Sequence, residues 1–486
     1  MRPNGNQERI KEMSLSSEGT IRQAMQAIDR GALGTALLIH PETQCFMGLV
    51  TDGDLRRALL GGLGLESPVL EIKRPPTKTA RLGMSMEEIA GLFSEPVRVV
   101  PVLDELERVA DLAIFDRRVR LPVAEPSLGE KELSYVTECV LTGWVSSAGK
   151  FVTRFEEMFA ESCGVECAIA TSNGTTALHL ALLSLEIGAG DEVIVPSFTF
   201  IATANAVTYT GATPIFVDSE LDSWNIDPTL IEEAITPLTK AIIPVHVYGH
   251  PAKMEPILEI AKRHGLSVIE DAAEAQGATY QGTPVGSLGD LATFSFYGNK
   301  IITTGEGGMV VTNRTDLAEK IRILRDHGMS KERRYWHPVL GYNYRMTNIQ
   351  AALGVGQMER LDSILEAKRN IAQQYRQGLQ DIPGIQLPPQ NEWAENVFWL
   401  YSIVIDPQKA GCSRDQLMES LKAEGIDTRP LFPPLHLQPI YNTGQSLPVA
   451  ESLSQHGLSL PSAVTLSDEN ITQTWVYIHT IVNKTK

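Results

Sequence analysis

The amino-acid sequence predicts an α/β fold: a large domain with a mostly parallel, helix-covered sheet, a small α+β domain after it, and a small α+β module in front. Apolar strand segments alternate with helical segments over about two hundred residues in the middle of the chain. A charged stretch with two prolines, RRVRLPVAEP, has the composition of a linker near residues 117–124. We therefore expect domains at residues 1–118, 119–360 and 361–486.

Length, composition and charge exclude several classes of protein. A chain of 486 residues is too long for one ordinary core, and 43% hydrophobic residues suffice to build more than one. The sequence has no apolar run of the roughly 20 residues that span a bilayer, and its polar start, MRPNGNQERIKEM, does not resemble a signal peptide, so we expect a cytoplasmic protein. The net charge of −17 argues against binding to nucleic acid, and the five sparse cysteines predict no metal site.

The amino-terminal module contains an approximate tandem repeat. TIRQAMQAIDRG predicts a helix, TALLIH and GLVT predict strands, and DGDLRRALLGG predicts a second helix that begins at an acidic cap. The pattern returns more weakly in MSMEEIAGLFSE, VRVVPVLD and ERVADLAIFD. This arrangement resembles a pair of CBS domains.

The resemblance to CBS domains implies a nucleotide site in the GLVTDGD segment. Thr51 and Asp54 match positions that contact the ribose and phosphates of an adenine nucleotide in that family. Asp54 can accept hydrogen bonds from a ribose diol and Thr51 can donate to a phosphate, so a purine nucleotide is the expected ligand. The second copy has no T-x-x-D segment, because Ala113, Ile114, Phe115 and Asp116 stand there. We therefore expect at most one good nucleotide site. The alternative is a packing or oligomerisation module without a ligand.

Three polar positions follow apolar strand segments in the central domain, where open parallel sheets bind their ligands. The turn at residues 171–176 precedes the helix ALHLALL, and its N–H groups and hydroxyls suit a phosphate. Asp271, in VIEDAAEA, directly follows a strand and needs a cationic partner, such as a protonated pyridine nitrogen. Lys300, in FYGNKIITTGEGG, can form an imine with an aldehyde once its pKa is lowered.

Each of these positions has an ordinary explanation when it is taken alone. Ser, Thr and Asn at residues 171–176 are typical helix caps. A strand-end carboxylate such as Asp271 is typical of caps and salt bridges, and a turn lysine such as Lys300 is typical of the solvated surface. Their order along the chain, phosphate turn, acid and lysine, makes the combined interpretation more specific.

The chain from about residue 121 to residue 486 resembles the DegT/DnrJ/StrS family of sugar aminotransferases. The resemblance rests on the segments SNGTTALHLAL, GDEVIVPSFTF, VIEDAAEA, FSFYGNK, TGEGG and GYNYRMTNIQAA. It implies the fold type I aminotransferase architecture, pyridoxal 5'-phosphate (PLP) as the cofactor, and a homodimer with composite active sites.

The same resemblance implies roles for single residues. Lys300 would carry PLP as a Schiff base and move the proton between substrate and cofactor, and Asp271 would hold the pyridine nitrogen. Further cofactor contacts are implied at Gly174, Thr175 and Ser295 for the phosphate, Phe200 for stacking on the ring, Glu274 near the ring hydroxyl, and Asn343 for the phosphate of the neighbouring subunit's cofactor. Glu274 departs from the family pattern, since many relatives have glutamine there.

Within this family, the segments KIITTGEGG, RRYWHP and GYNYRMTNIQAA favour GDP-4-keto-6-deoxy-mannose as the acceptor and glutamate as the amino donor. A UDP-linked 4-keto-6-deoxy sugar is the alternative acceptor. Related members that dehydrate the sugar have histidine at the lysine position, so Lys300 favours transamination; it also weighs against a non-catalytic, nucleotide-sensing regulator. Substrate contacts are expected from His327, Arg345, Arg429 and His436.

Overall fold

The computed structural model describes residues 10–31, 33–74, 76–85, 88, 89, 91–93, 97, 99–114 and 121–484. The chain divides into two compact units, Met1–Arg118 and Val119–Lys486. Within the described residues, every helix is too short or too polar to cross a membrane.

The amino-terminal unit contains one strand arrangement twice. Its elements are β1 Ser14–Ser16, α1 Ile21–Gly31, β2 Thr35–Ile39, β3 Phe46–Thr51, α2 Asp52–Leu60, β4 Ala80–Arg81, β5 Val99–Leu103 and β6 Val109–Ile114. The described residues form the sheets β1-β2-β3 and β4-β5-β6, each with a parallel pair followed by an antiparallel pair. Both antiparallel pairs have a register shift before their last residue pair. This shared topology confirms the strands of the predicted repeat, while part of the segment MSMEEIAGLFSE and Asp116 lie outside the described residues.

The second unit is organised around a seven-stranded sheet, as far as its described residues extend. The strand order is β7 Cys167–Thr171, β15 Gly308–Thr312, β14 Leu291–Ser295, β11 Ser267–Asp271, β10 Thr239–Ile242, β8 Glu192–Pro196 and β9 Thr213–Val217. All neighbouring pairs are parallel except the two that β15 makes. The other strands therefore run in one direction, and their carboxyl ends share one edge. This confirms the predicted mostly parallel sheet.

Helices cover both faces of this sheet. The described α-helices between residues 130 and 379 are α3 Glu130–Thr142, α4 Lys150–Cys163, α5 Gly174–Ser184, α6 Ala202–Tyr209, α7 Ile231–Ala234, α8 Met254–His264, α9 Thr315–Arg325, α10 Asn348–Met358 and α11 Leu361–Leu379. Because both faces are covered, the central strands are continuous apolar runs; Val193, Ile194 and Val195 in β8 are all fully buried. Helices α5, α6 and α9 share one apolar cluster with the sheet, and α8 belongs to another.

The helical periodicity of residues 346–379 predicts one long helix, and the structure corrects this prediction. The stretch forms α10 and α11, which are interrupted at Glu359 and Arg360. Glu359 accepts a hydrogen bond from the Tyr135 hydroxyl at 2.8 Å, and Arg360 donates one to Glu132 at 3.2 Å, both on α3. The backbone at Arg360 leaves the helical region, with φ −118° and ψ 5°. Helical periodicity continues across this break in the sequence, so only the contacts with α3 reveal it.

The carboxyl-terminal part forms a smaller α+β layer, as the sequence predicts. Its elements are β16 Ile385–Gln386, β17 Ala394–Glu395, β18 Tyr401–Ile405, α12 Pro407–Ala410, α13 Arg414–Ala423, β19 Arg429–Pro430, α14 Pro448–His456, β20 Gly457–Leu460 and α15 Asp468–Lys484. In the described residues β16, β18, β20 and β19 form one sheet, while β17 pairs with the hairpin of β12 Thr279–Tyr280 and β13 Thr283–Pro284. Helices α11, α13 and α15 share an apolar core with β18 and β20.

Candidate active site

A cavity of about 590 Å³ lies at the carboxyl edge of the seven-stranded sheet. The chain reaches it directly after β7, β8, β11 and β14, the position at which open α/β sheets bind ligands. Several residues predicted from the sequence line this cavity: Gly174, Thr175, Phe200, Asp271, Glu274, Ser295, Lys300 and Arg429. The strands of the large sheet bring the residues from Gly174 to Lys300 to this edge, whereas Arg429 comes from β19 in the carboxyl-terminal sheet.

The amino-terminal end of α5 forms one wall of the cavity. Asn173 caps the helix: its side chain accepts a hydrogen bond from Thr176 N at 2.9 Å, and the Thr176 hydroxyl lies 3.2 Å from Asn173 N. The first N–H groups of a helix have no acceptor within the helix, and Gly174 and Thr175 supply two of them at the cavity wall. A Cβ atom on Gly174 would lie only 2.8 Å from the Ser295 Cβ. Glycine therefore lets the helix start approach the end of β14, which gives an anion-binding corner.

Asp271 ends β11 and is 4% exposed. Its carboxylate accepts a hydrogen bond from the Thr203 hydroxyl at 2.7 Å and one from Ala273 N at 3.2 Å. Burial raises the pKa of Asp271, while these hydrogen bonds and the charge of Lys300 oppose the rise. A cationic group in the cavity would favour the charged carboxylate further.

Lys300 projects into the cavity from the turn after β14, and its side chain is only 11% exposed. Its Nζ lies 3.6 Å from the Glu274 Oε1 and 3.8 Å from the ring centroid of Trp399. Burial lowers the pKa of Lys300, although Glu274 and Asp271 oppose that change. Burial also raises the pKa of Glu274 to about 7. A lysine with a lowered pKa, held beside a carboxylate, is suited to forming an imine and to moving a proton.

An aromatic wall faces Lys300 and was not identified from the sequence. Trp399, Tyr248 and Phe432 stack in that order: the ring centroids are 5.9 Å and then 5.0 Å apart, and the planes are within 13° of parallel. Tyr248 has φ 55°, in the left-handed region that bulky residues avoid. Its backbone N–H donates to Glu274 Oε2 at 2.7 Å, so the unusual backbone holds the carboxylate in place.

Asn343 is exposed and lies outside the cavity wall that the described residues form. The rings of its neighbours Tyr342 and Tyr344 stack on each other, with centroids 4.8 Å apart, and both contact His179 on α5. The two tyrosines therefore pack on this chain, while the side chain between them stays accessible.

Among the residues expected to contact substrate, Arg429 lines the cavity, whereas His327 and Arg345 are not among the described residues that line it. His327 is exposed and has φ 58°. Arg345 pairs with Asp326 and donates to the Ser147 hydroxyl at 3.0 Å, so its guanidinium is already engaged.

His436 is fully buried and both of its ring nitrogens have partners. Its Nδ1 lies 2.7 Å from the Ser197 hydroxyl and its Nε2 lies 3.2 Å from the Glu451 carboxylate. These contacts attach the segment after β19 to the end of β8. His436 therefore stabilises the fold, and its ring is not free to contact a substrate.

Thr51 and Asp54 form a capping box at the start of α2. The Asp54 carboxylate accepts hydrogen bonds from the Thr51 hydroxyl at 2.7 Å, from Thr51 N at 3.0 Å and from Arg57 at 2.5 Å. Burial raises the pKa of Asp54, but these hydrogen bonds outweigh it and leave the pKa below its ordinary value. The sequence carries the signal for this role, since Thr-x-x-Asp at a helix start has the spacing of a capping box.

The donor set of the cavity fits PLP. The N–H groups at the start of α5 and the Ser295 hydroxyl suit the phosphate, the buried Asp271 carboxylate suits a protonated ring nitrogen, and Lys300 suits the aldehyde.

Thr203 was not predicted from the sequence, because nothing in its spacing indicates that the first turn of α6 reaches the end of β11.

Comparisons with known proteins agree with this geometry. The model of the DegT/DnrJ/EryC1/StrS aminotransferase family matches residues 126–478. The chain is 52% identical over 355 residues to the GDP-perosamine synthase of Caulobacter vibrioides, covering 72% of this chain and 95% of that protein. It is 47% identical to the GDP-perosamine synthase of Escherichia coli O157:H7, covering 75% and 98%. The crystal structure of DesV from S. venezuelae has a TM-score of 0.68 and 39% identity, covering 72% and 94%.

Proposed function

Because the chain belongs to the DegT/DnrJ/EryC1/StrS aminotransferase family, we propose that it transfers an amino group from glutamate to GDP-4-keto-6-deoxy-mannose and so forms GDP-perosamine. The chain is a PLP-dependent sugar aminotransferase. The main observation behind the proposal is that Lys300, Asp271 and the start of α5 line one cavity. The choice of sugar is supported by the 52% identity with a GDP-perosamine synthase.

We assign the chemistry of the large domain, residues 119–360, to four contacts. When bound, PLP supplies an electron sink for the substrate carbon. Lys300 Nζ would take and return the proton at that carbon, and its lowered pKa favours this exchange. Asp271, oriented by Thr203, would hold the ring nitrogen and favour its protonated form. The N–H groups at the start of α5 would hold the phosphate, and Glu274, which accepts from Tyr248 N and lies beside Lys300, would serve the ring hydroxyl.

A single-turnover assay tests the proposed acceptor. The full chain, loaded with an amino group from glutamate, is mixed with GDP-, UDP- and TDP-linked 4-keto-6-deoxy sugars, and the amino sugar formed in one turnover is measured by mass spectrometry. We expect GDP-4-keto-6-deoxy-mannose to react fastest by at least about tenfold, a difference of about 1.4 kcal/mol in transition-state free energy. A faster reaction with a UDP-linked sugar would establish the alternative acceptor, and no reaction with any sugar would favour a non-catalytic regulator.

We also propose that the enzyme is a homodimer in which Asn343 reaches the partner's cofactor phosphate. The proposal is supported by the accessible Asn343 side chain and by exposed apolar residues on α3 and the segment after it, such as Leu141 at 81% and Trp144 at 58% exposure. Such exposed apolar surface is typical of an interface.

Subunit mixing tests this composite site. Lys300→Ala chains and Asn343→Ala chains are each expected to be inactive or weak alone. Mixed dimers should regain part of the activity, since some of them contain one site with both residues intact. Activity is measured after the two chains, carrying different tags, are co-purified as heterodimers. Heterodimers without recovered activity would show that Asn343 serves its own chain, and full activity of the Asn343→Ala chain alone would show that Asn343 has no catalytic role.

We propose that residues 1–118 form a CBS-like pair and that residues 361–486 form the small domain of the enzyme. The topological repeat supports the first assignment. The capping role of Thr51 and Asp54 supports a packing or oligomerisation module over a purine nucleotide site, because the Asp54 oxygens already have partners.

Calorimetry on the full chain decides between these two roles. AMP, ATP and GDP are titrated separately, and we expect no binding of any of them to the amino-terminal module. Saturable binding that Asp54→Asn weakens, together with a nucleotide-dependent change in sugar affinity, would instead establish a sensing site, with a coupling of about 1 to 3 kcal/mol.

A further inference from the structure

Trp399 makes two contacts with the turn that carries Lys300. Its indole Nε1–H donates a hydrogen bond to the backbone carbonyl of Asn299 at 2.6 Å. The face of the same ring lies 3.8 Å from the Lys300 Nζ, measured to the ring centroid. One side chain therefore holds both the peptide just before Lys300 and the nitrogen at the end of its side chain.

Trp399 is itself firmly fixed. It is 4% exposed, and its ring stacks on Tyr248 with an angle of 13° between the planes. The buried ammonium of Lys368, on α11, donates to the Trp399 carbonyl at 2.8 Å. The backbone of Trp399 is thus held by α11 and its ring by the stacked Tyr248, so the indole has a defined position beside Lys300.

We propose that Trp399 is a positioning residue for Lys300, setting the place of its Nζ through the ring face and the place of its backbone through the indole N–H. The inference rests on the proposed role of Lys300 in amino transfer. An aromatic face attracts an ammonium group, so the ring keeps Nζ in the cavity while it carries a proton. The hydrogen bond to Asn299 limits rotation of the turn, and small errors in the position of a reacting group are costly to rate.

The charged groups that face Lys300 besides the ring are Glu274 and Asp271. Both carboxylates and the Trp399 ring favour the ammonium form of Lys300, whereas burial favours its neutral amine. Removing the ring should therefore lower the pKa of Lys300, whereas a loss of packing far from Lys300 should leave that pKa unchanged. This difference separates positioning from a general structural role.

The test compares Trp399→Leu, which removes both contacts, with Trp399→Phe, which keeps a ring face but lacks the N–H. Trp393→Leu is the matched control, because Trp393 precedes Trp399 by six residues and packs on His250 and Tyr280 instead. Cofactor-free full-length protein is labelled with trace acetic anhydride across a pH range, and peptide mass spectrometry gives the pKa of Lys300. Circular dichroism and thermal melting confirm that each variant is folded.

We expect Trp399→Leu to lower the pKa of Lys300 by roughly one unit, and Trp399→Phe to leave it near the wild-type value. With PLP bound, we expect kcat to fall about tenfold to a hundredfold in the leucine variant and less in the phenylalanine variant. The Trp393→Leu control should change neither quantity. A folded Trp399→Leu protein with an unchanged Lys300 pKa would overturn the proposal. The labelling needs neither cofactor nor sugar, so its outcome stands even if the proposed amino transfer fails.

Discussion

Replacing Lys300 by alanine is expected to lower the rate of amino transfer by at least about a thousandfold. The variant loses the group that moves the proton at the substrate carbon, a contribution of roughly a hundredfold to ten-thousandfold in general acid–base catalysis, and it also loses the covalent attachment of the cofactor. The rate is measured as amino sugar formed from glutamate and GDP-4-keto-6-deoxy-mannose. Noncovalent binding of PLP should persist, because the phosphate corner at α5 and Asp271 remain intact.

Chemical trapping gives an independent check on Lys300. Borohydride reduction of the wild-type enzyme followed by peptide mapping should locate the reduced cofactor on Lys300, and none should be trapped in Lys300→Ala. Lys320→Ala is a suitable control, since Lys320 pairs with Glu186 on the surface and should leave the rate unchanged. Cofactor trapped on a different lysine would disprove the assignment.

Replacing Asp271 by asparagine is expected to lower the rate about a hundredfold to a thousandfold. At about 4 Å and an effective dielectric constant near 20, a carboxylate and a protonated ring nitrogen attract each other by roughly 4 kcal/mol. Each 1.36 kcal/mol lost from stabilisation of the transition state lowers the rate about tenfold. Asparagine has nearly the same shape and retains an oxygen that can accept the hydrogen bond from Thr203, so the change removes mainly the charge.

Two further variants define the cause of that loss. Thr203→Val removes only the hydroxyl that orients the carboxylate, so the rate should fall by about tenfold or less. Asp222→Asn, at an exposed site, should have no effect. The pH dependence of the visible absorbance of bound PLP should change in Asp271→Asn and stay normal in Asp222→Asn. A near-normal rate for Asp271→Asn would refute the pairing with the ring nitrogen.

Local sequence patterns were sufficient to predict the sheet and the three polar positions at its edge. Apolar runs such as EVIVP and GMVVT indicate strands that are covered on both faces, and they form β8 and β15. Parallel strands connected through helices point the same way, so residues that directly follow strands meet at one edge. For this reason Gly174, Asp271 and Lys300 could be expected to share a cavity, and they do.

The chain's own sequence thus determined which segments form the central sheet, the repeat in the amino-terminal module, and the residues that follow the strands. Only the tertiary structure decided that Trp399 and Phe432 from the carboxyl-terminal part form the wall facing Lys300, and that contacts with α3 interrupt the helix at Glu359. It also decided that His436 is buried between Ser197 and Glu451. The physical reason is the distance along the chain over which each signal acts. Strand and helix periodicity depends on neighbours a few residues away. These contacts instead join residues about 15 to more than 200 positions apart, so only packing brings them together.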